Sequence, residues 1–417
     1  MIKSQWHSLL FWVGAVLVIV LITIFYQPAA AKTGSLLIWM KDQIYVMDID
    51  SLILERVGPA DAGDLMTPSP GCYGQTEAPC WVVAGQNLYS VETVSGHKSS
   101  STTLPLGEGF DWLNDGAVSW SPDGRHLTYY VFQSASNQTE LRLFYAATGE
   151  MQPLSAGADP EIRPAWSAAC AGGVKATGCQ LAFKTEVVDM GGDDGLPGLI
   201  ALDLVTGERR EWQISSGPIF ELRWSTDNRL LYSRPKRYFR YVEDDTFVYK
   251  IPAAGQLGNL SPNGGYTVYY QPFTLADCQA DTEEACLHVG VWLTQTGAEA
   301  LPPRLIYSLD ITEARQGGLN FIPIWAPDGE AFVFFQAGNL IYYDLLQQEA
   351  TIWYKSLQGK LRSVPVFSPN EEAVAFVDSQ GQGFSEYRLL VINPRLQPIE
   401  HIIETEGGFR VLAWLPN

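Results

Sequence analysis

Three groups of side chains in this chain of 417 residues have the composition to do chemistry. The first is Asp189-Met190-Gly191-Gly192-Asp193-Asp194-Gly195, where Asp189, Asp193 and Asp194 sit on glycine-rich backbone and offer hard oxygen donors to a cation such as Ca²⁺. Its spacing is not that of an EF-hand, and the same residues also read as a solvated hairpin tip. The second is Arg234-Pro235-Lys236-Arg237-Tyr238-Phe239-Arg240-Tyr241, in which four cations alternate with three aromatics. Arg234, Lys236, Arg237 and Arg240 could meet anionic headgroups, an acidic partner or a polyanionic glycan through charge and cation–π contacts, or form a plain polar loop. The third is the set of six cysteines, falling as Cys72 and Cys80, Cys170 and Cys179, Cys278 and Cys286. Fifteen pairings are formally open. Proximity favours three local bridges, each closing a short polar loop, while the absence of Cys-x-x-Cys spacing or a neighbouring histidine argues against zinc.

Nucleophilic and metal-dependent catalysis have weaker footing. No Gly-x-Ser-x-Gly elbow occurs, and the histidines, His7, His97, His126, His288 and His401, form no ligand-spaced pair. Asp123, Asp227 and Asp328 recur at similar sites, but each stands where a tight turn needs Asp, so a structural role accounts for them. No catalytic residue is assigned, and Ca²⁺ is the only cofactor considered. A formal charge of −19 disfavours nucleic acid as a partner.

These residues must be positioned by a repeat. Trp120-Ser121-Pro122-Asp123-Gly124 and Trp325-Ala326-Pro327-Asp328-Gly329 are its clearest copies; Pro68-Ser69-Pro70-Gly71, Trp166-Ser167, Trp224-Ser225-Thr226-Asp227-Asn228, Leu260-Ser261-Pro262-Asn263-Gly264, Phe367-Ser368-Pro369-Asn370 and Trp414-Leu415-Pro416-Asn417 are looser. Proline presets φ, Asp or Asn tolerates the bridge or left-handed region, Gly accepts positive φ, and Ser can bond the turn backbone. Each turn precedes a nearly continuous apolar run such as Ala331-Phe332-Val333-Phe334-Phe335, the pattern of a strand covered on both faces. A second apolar strand, a turn and a polar outer strand follow. Four antiparallel strands per repeat predict an all-β closed β-propeller with eight blades, or seven if the closely spaced Ser225 and Ser261 share one. Val411 to Trp414 should complete the blade begun by Leu36 to Asp48, closing the ring and removing its edges.

The repeat resembles the TolB-like, WD-type propeller group from about Leu36 to Asn417: an aromatic, then Ser-Pro-Asp-Gly, an apolar strand, and a further strand ending in Asp. That resemblance implies a propeller serving in an envelope assembly.

Residues 1–31 read as an export segment and 32–417 as the propeller. Leu9 to Tyr26 is an uncharged stretch of 18 residues, long enough to span a bilayer, and Lys3 orients its N-terminus to the cytoplasm. The expected product is a single-pass protein of the cytoplasmic membrane with an extracytoplasmic propeller. Ala29-Ala30-Ala31 also fits a signal-peptide site, and cleavage after Ala31 would release the propeller. The expected function is a noncatalytic scaffold for a protein or peptide partner in the envelope, with the membrane met through the N-terminal helix. The alternative is a propeller enzyme acting on carbohydrate or peptide in the central funnel. The funnel lining discriminates: convergent carboxylates, His or Arg favour an enzyme, and apolar or neutral polar walls favour binding.

Overall fold

The computed structural model of the chain describes residues 34–416 except 92–98, 114–116, 186–197, 214–218, 220, 226–227, 235–237, 244–246, 250–255, 263–264, 276–285, 297–301, 311–322, 337–338, 356–359, 362, 380–385, 397 and 406–407. These residues make an all-β protein of eight separate antiparallel sheets, each of four or five strands, consistent with a β-propeller. The expected membrane segment Leu9 to Tyr26 lies outside them, and among the described residues no helix is long and apolar enough to cross a membrane.

Each sheet begins with the strand that ends in the repeat motif. From the first sheet to the eighth these motif strands are Phe409–Leu415, Met66–Pro68, Ser119–Trp120, Ala165–Trp166, Glu221–Trp224, Gln256–Leu260, Ile324–Trp325 and Val366–Phe367. In the third sheet, Ser119–Trp120 pairs with His126–Gln133, which pairs with Gln138–Tyr145, which pairs with the more exposed Met151–Ala156.

The hairpin after each motif strand is sealed by its serine. Ser121 is fully buried; its N–H donates to the His126 carbonyl at 2.9 Å and its Oγ accepts the His126 N–H at 3.0 Å. The Oγ atoms of Ser69, Ser167, Ser225, Ser261 and Ser368 accept the N–H of Trp81, Gln180, Arg229, Tyr266 and Ala373 in the same way, all at 2.9–3.0 Å. The amide at the start of the second strand is thereby satisfied in six of the sheets. The turn carboxylates cap the backbone too: Asp123 Oδ1 accepts the Arg125 N–H at 3.1 Å, and Asp328 Oδ1 accepts the Glu330 N–H at 2.7 Å. Gly124 takes φ 69° and Gly329 φ 75°, the left-handed region that the turn demands. Asp227 lies outside the described residues.

Hydrophobic cores fill the spaces between successive sheets. Leu36, Met47, Val377 and Leu389 join the eighth sheet to the first, Phe144 and Tyr129 pack with Val83 across the second and third, and Phe332 and Phe334 pack with Val268 across the sixth and seventh. Full burial of one such aromatic or aliphatic side chain is worth roughly 1.5–3 kcal/mol. Motif tryptophans add hydrogen bonds across the joints. The indole N–H of Trp120 donates to the Thr67 carbonyl at 3.0 Å, that of Trp224 to Ala165 at 3.0 Å, and that of Trp325 to Asn259 at 3.2 Å, each just ahead of the motif position in the preceding sheet. Between the fifth and sixth sheets, Arg223 Nη1 donates to the Leu260 carbonyl at 3.0 Å.

Leu36 to Asp48 forms two paired strands turned at Lys41-Asp42, and Phe409–Leu415 pairs antiparallel with Ser35–Met40, Trp414 lying opposite Leu36. Ser225 and Ser261 follow motif strands of two different sheets.

Cys72–Cys80 and Cys170–Cys179 are disulfides, and both pin longer loops that replace the tight turn after the motif strands of the second and fourth sheets. Cys286 is disulfide-bonded as well; Cys278 lies outside the described residues. Its bridge belongs to a different hairpin, because Cys286 opens the third strand of the sixth sheet, Leu287–Gln295. Successive hairpins alternate between the two ends of an antiparallel sheet, so this bridge and the other two staple opposite ends.

Candidate functional site

Motif strands of five of the sheets line a cavity of ≈ 580 Å³. Its walls come from the first sheet (Val411, Leu412), the second (Thr67, Pro68, Tyr73), the third (Val118, Trp120), the seventh (Ile324, Trp325) and the eighth (Val364, Val366, Phe367), with Arg163 from the approach to the fourth and Pro262 from the turn of the sixth. A space bordered by so many sheets lies where their motif-strand edges converge. Val364 is 53% exposed, and part of that exposure is to this cavity. The 3-10 turn Pro70–Tyr73, held by Cys72–Cys80, reaches over toward the first sheet. Tyr73 Oη donates to the Leu412 carbonyl at 3.1 Å, and burial pushes its pKa up to about 12, so the ring closes part of the cavity as a neutral wall.

Arg163 is the one charged side chain among the described lining residues. It makes no hydrogen bond or ion pair with a described residue. Surrounding protein lowers its pKa, the Glu221 carboxylate opposes that shift, and the nearby Arg223 adds to it. Glu221 does not neutralise it, because Glu221 is ion-paired with Arg223 on the same strand.

A second cavity, of ≈ 750 Å³, lies between the two disulfide-pinned loops and over the turn of the third sheet. Glu77, Asp123, Arg125, His126, Glu150 and Lys175 face it, and Gln75 lines both cavities. Its most buried carboxylate is already committed. Burial pushes the Asp123 carboxyl up, but hydrogen bonds from His126 (Nδ1 at 3.2 Å), Ser121 Oγ and the Arg125 N–H outweigh it and hold the pKa below the usual carboxylate range. Ser121, Asp123 and His126 resemble the parts of a nucleophile triad, yet the hydroxyl binds the carboxylate and the His126 backbone, with no bond to the imidazole. The three residues seal a turn.

Asp189, Asp193 and Asp194 are outside the described residues, as are Lys236 and Arg237. Among the described residues no group of three or more His, Cys, Asp or Glu side chains could hold a metal ion. Arg234 and Arg240 sit on the paired strands Leu230–Arg234 and Tyr238–Tyr241 of the fifth sheet, Arg234 opposite Tyr238, so the basic-aromatic segment is largely a hairpin and not one loop. Arg240 is not among the residues lining either cavity. Sequence reasoning missed Arg163, and the signal was available: it stands three residues before Trp166, where the other repeats place Leu65, Ala117, Leu257, Ile322, Val364 and Val411, and only the fifth places another charge, Glu221.

No protein-family model matches the chain, and no curated protein matches it in sequence. Among solved structures, a eukaryotic initiation factor is similar over 92% of this chain and 100% of its own, with 8% identity and a TM-score of 0.53. An oligogalacturonate lyase in complex with manganese is similar over 90% of this chain and 99% of its own, with 12% identity and a TM-score of 0.50. TolB from Acinetobacter baumannii, 13% identical over 91% of this chain and 82% of its own, superposes at a TM-score of only 0.36, so the TolB-type resemblance continues to rest on the turn motif. At such identities the likeness concerns architecture alone, and it supports a β-propeller fold.

Proposed function

We propose that residues 32–417 form a closed eight-bladed propeller, held at the outer face of the cytoplasmic membrane by Leu9 to Tyr26, and that it is a noncatalytic scaffold binding an extended protein or peptide segment in its central cavity. The observation that carries this reading is the cavity wall, which is apolar or neutral apart from Arg163 among the described residues. Apolar walls with a few convergent polar groups suit binding, whereas hydrolysis or elimination calls for a positioned acid and base. The pairing of Phe409–Leu415 with Ser35–Met40 and the core between the eighth and first sheets support closure.

The alternative, a propeller enzyme acting on carbohydrate or peptide, draws its support from the second cavity, where Glu77, His126 and Glu150 face one space. The commitment of Asp123 to its own turn weighs against it.

A pull-down from detergent-solubilised membranes, run with the unmodified chain and with Val364→Trp, separates the readings. Filling the central cavity should abolish recovery of the partner without changing the unfolding midpoint. Undiminished recovery with the filled cavity would contradict the proposal.

A further inference from the structure

The central cavity of a protein with formal charge −19 contains an arginine that no neighbour balances. Arg163 is solvent-exposed at the cavity wall and makes no hydrogen bond or ion pair with a described residue, so its donors are free to meet a ligand, and its planar fork matches a carboxylate with two parallel hydrogen bonds. We propose that Arg163 anchors a carboxylate of the bound peptide, either an Asp or Glu side chain or the free C-terminus, with an adjoining apolar side chain packed on Ile324, Val364 and Val366. This rests on the peptide-binding reading above and names the chemistry its occupant must carry.

The walls favour a peptide over an acidic sugar. A sugar presents many hydroxyls that need partners once buried, and the obvious donors here are already engaged: the indoles of Trp120 and Trp325 donate to Thr67 and Asn259, and the Tyr73 hydroxyl donates to Leu412. Thr67, Gln75 and Ser119 are the remaining neutral polar side chains among the described lining residues. Such a wall suits aliphatic groups beside one strong anion.

The test uses the full chain in detergent and positional hexapeptide libraries in which one site is fixed as Asp or Glu, or as Asn or Gln, each made with a free or an amidated C-terminus. Trigalacturonate serves as the non-peptide carboxylate. Fluorescence anisotropy should show the acidic or free-terminus libraries binding about ten-fold tighter than their neutral counterparts. Arg163→Gln should erase that preference and Arg163→Lys should restore part of it, since the ammonium keeps charge without the fork. Arg163 has no described partner to orphan, so both variants should keep the unfolding midpoint of the unmodified chain. Equal binding of acidic and neutral libraries, untouched by Arg163→Gln, would overturn the role of Arg163 and leave peptide binding standing. Failure of every library, with trigalacturonate binding that Arg163→Gln removes, would overturn the peptide reading and this proposal with it.

Discussion

The eighth sheet and the central cavity each hold an arginine, and the protein treats them in opposite ways. Arg388 is 5% exposed and faces Asp378 on the neighbouring strand; its Nη2 donates to Asp378, and Nη1 donates to Glu400 at 3.2 Å. Burial lowers its pKa, but Asp378 and Glu400 more than reverse the effect. Arg163 is exposed at the cavity wall and has no such partner among the described residues, water taking the place that Asp378 holds for Arg388. The contrast extends to the second cavity, which is richer in charge than the first but spends Asp123 on its own turn. Charge that serves the fold is paired inside the fold; charge left unpaired in a cavity is available to something else.

The contrast breaks hardest at the paired end. Asp378→Ala should leave the buried guanidinium with only the partly exposed Glu400 and cost about 3 kcal/mol in urea unfolding, while Asp378→Ala combined with Arg388→Leu should recover most of the loss. A cost below about 1 kcal/mol would show that the pair is not what holds Arg388 in place.

A like-charge pair gives an intermediate effect with a definite sign. Glu371, in the turn of the eighth sheet, has its carboxyl pushed from 4.5 to about 7 by burial and by a hydrogen bond with Asp328. The folded protein therefore holds this proton more tightly than the unfolded chain. Its contribution to stability is complete below about pH 4.5 and falls as pH rises toward 7. Urea midpoints from pH 5 to 8 should decline over that window, and Glu371→Gln should flatten the decline; an unchanged slope would remove Glu371 as its cause.

The smallest stability effect belongs to Arg163→Gln, which should shift unfolding by less than about 0.5 kcal/mol. A loss as large as that of Asp378→Ala would mean that Arg163 is a fold residue and would dissolve the comparison.

How much of this was readable in the sequence depends on how locally it is encoded. The Ser-Pro-Asp-Gly turns announced the strands because φ preference and Ser capping act over a few residues, and Ser121, Ser167 and Ser368 do in the structure what their type allows. Cysteine spacing pointed to Cys72–Cys80 and Cys170–Cys179, but could not reveal that the Cys286 bridge belongs to the opposite end of its sheet. The central cavity was not legible because Val118, Arg163, Ile324 and Val411 are scattered along the chain and meet only when the sheets assemble. Asp189 and Lys236 attracted attention because their charges cluster in sequence, whereas Arg163 drew none because it stands singly among Ile162 and Pro164. The useful cue was register, three residues before each turn aromatic.

Site-specific photo-crosslinking tests the central claim most directly. A benzophenone amino acid replacing Leu412, which lines the central cavity, is compared in native membranes with one replacing Leu346, which is 80% exposed and remote from it. The predicted result is a polypeptide adduct of defined mass at Leu412, absent at Leu346, that disappears when Val364→Trp fills the cavity. Equal labelling at both positions, or a Leu412 adduct indifferent to Val364→Trp, would contradict the claim that the central cavity is where this protein meets its partner.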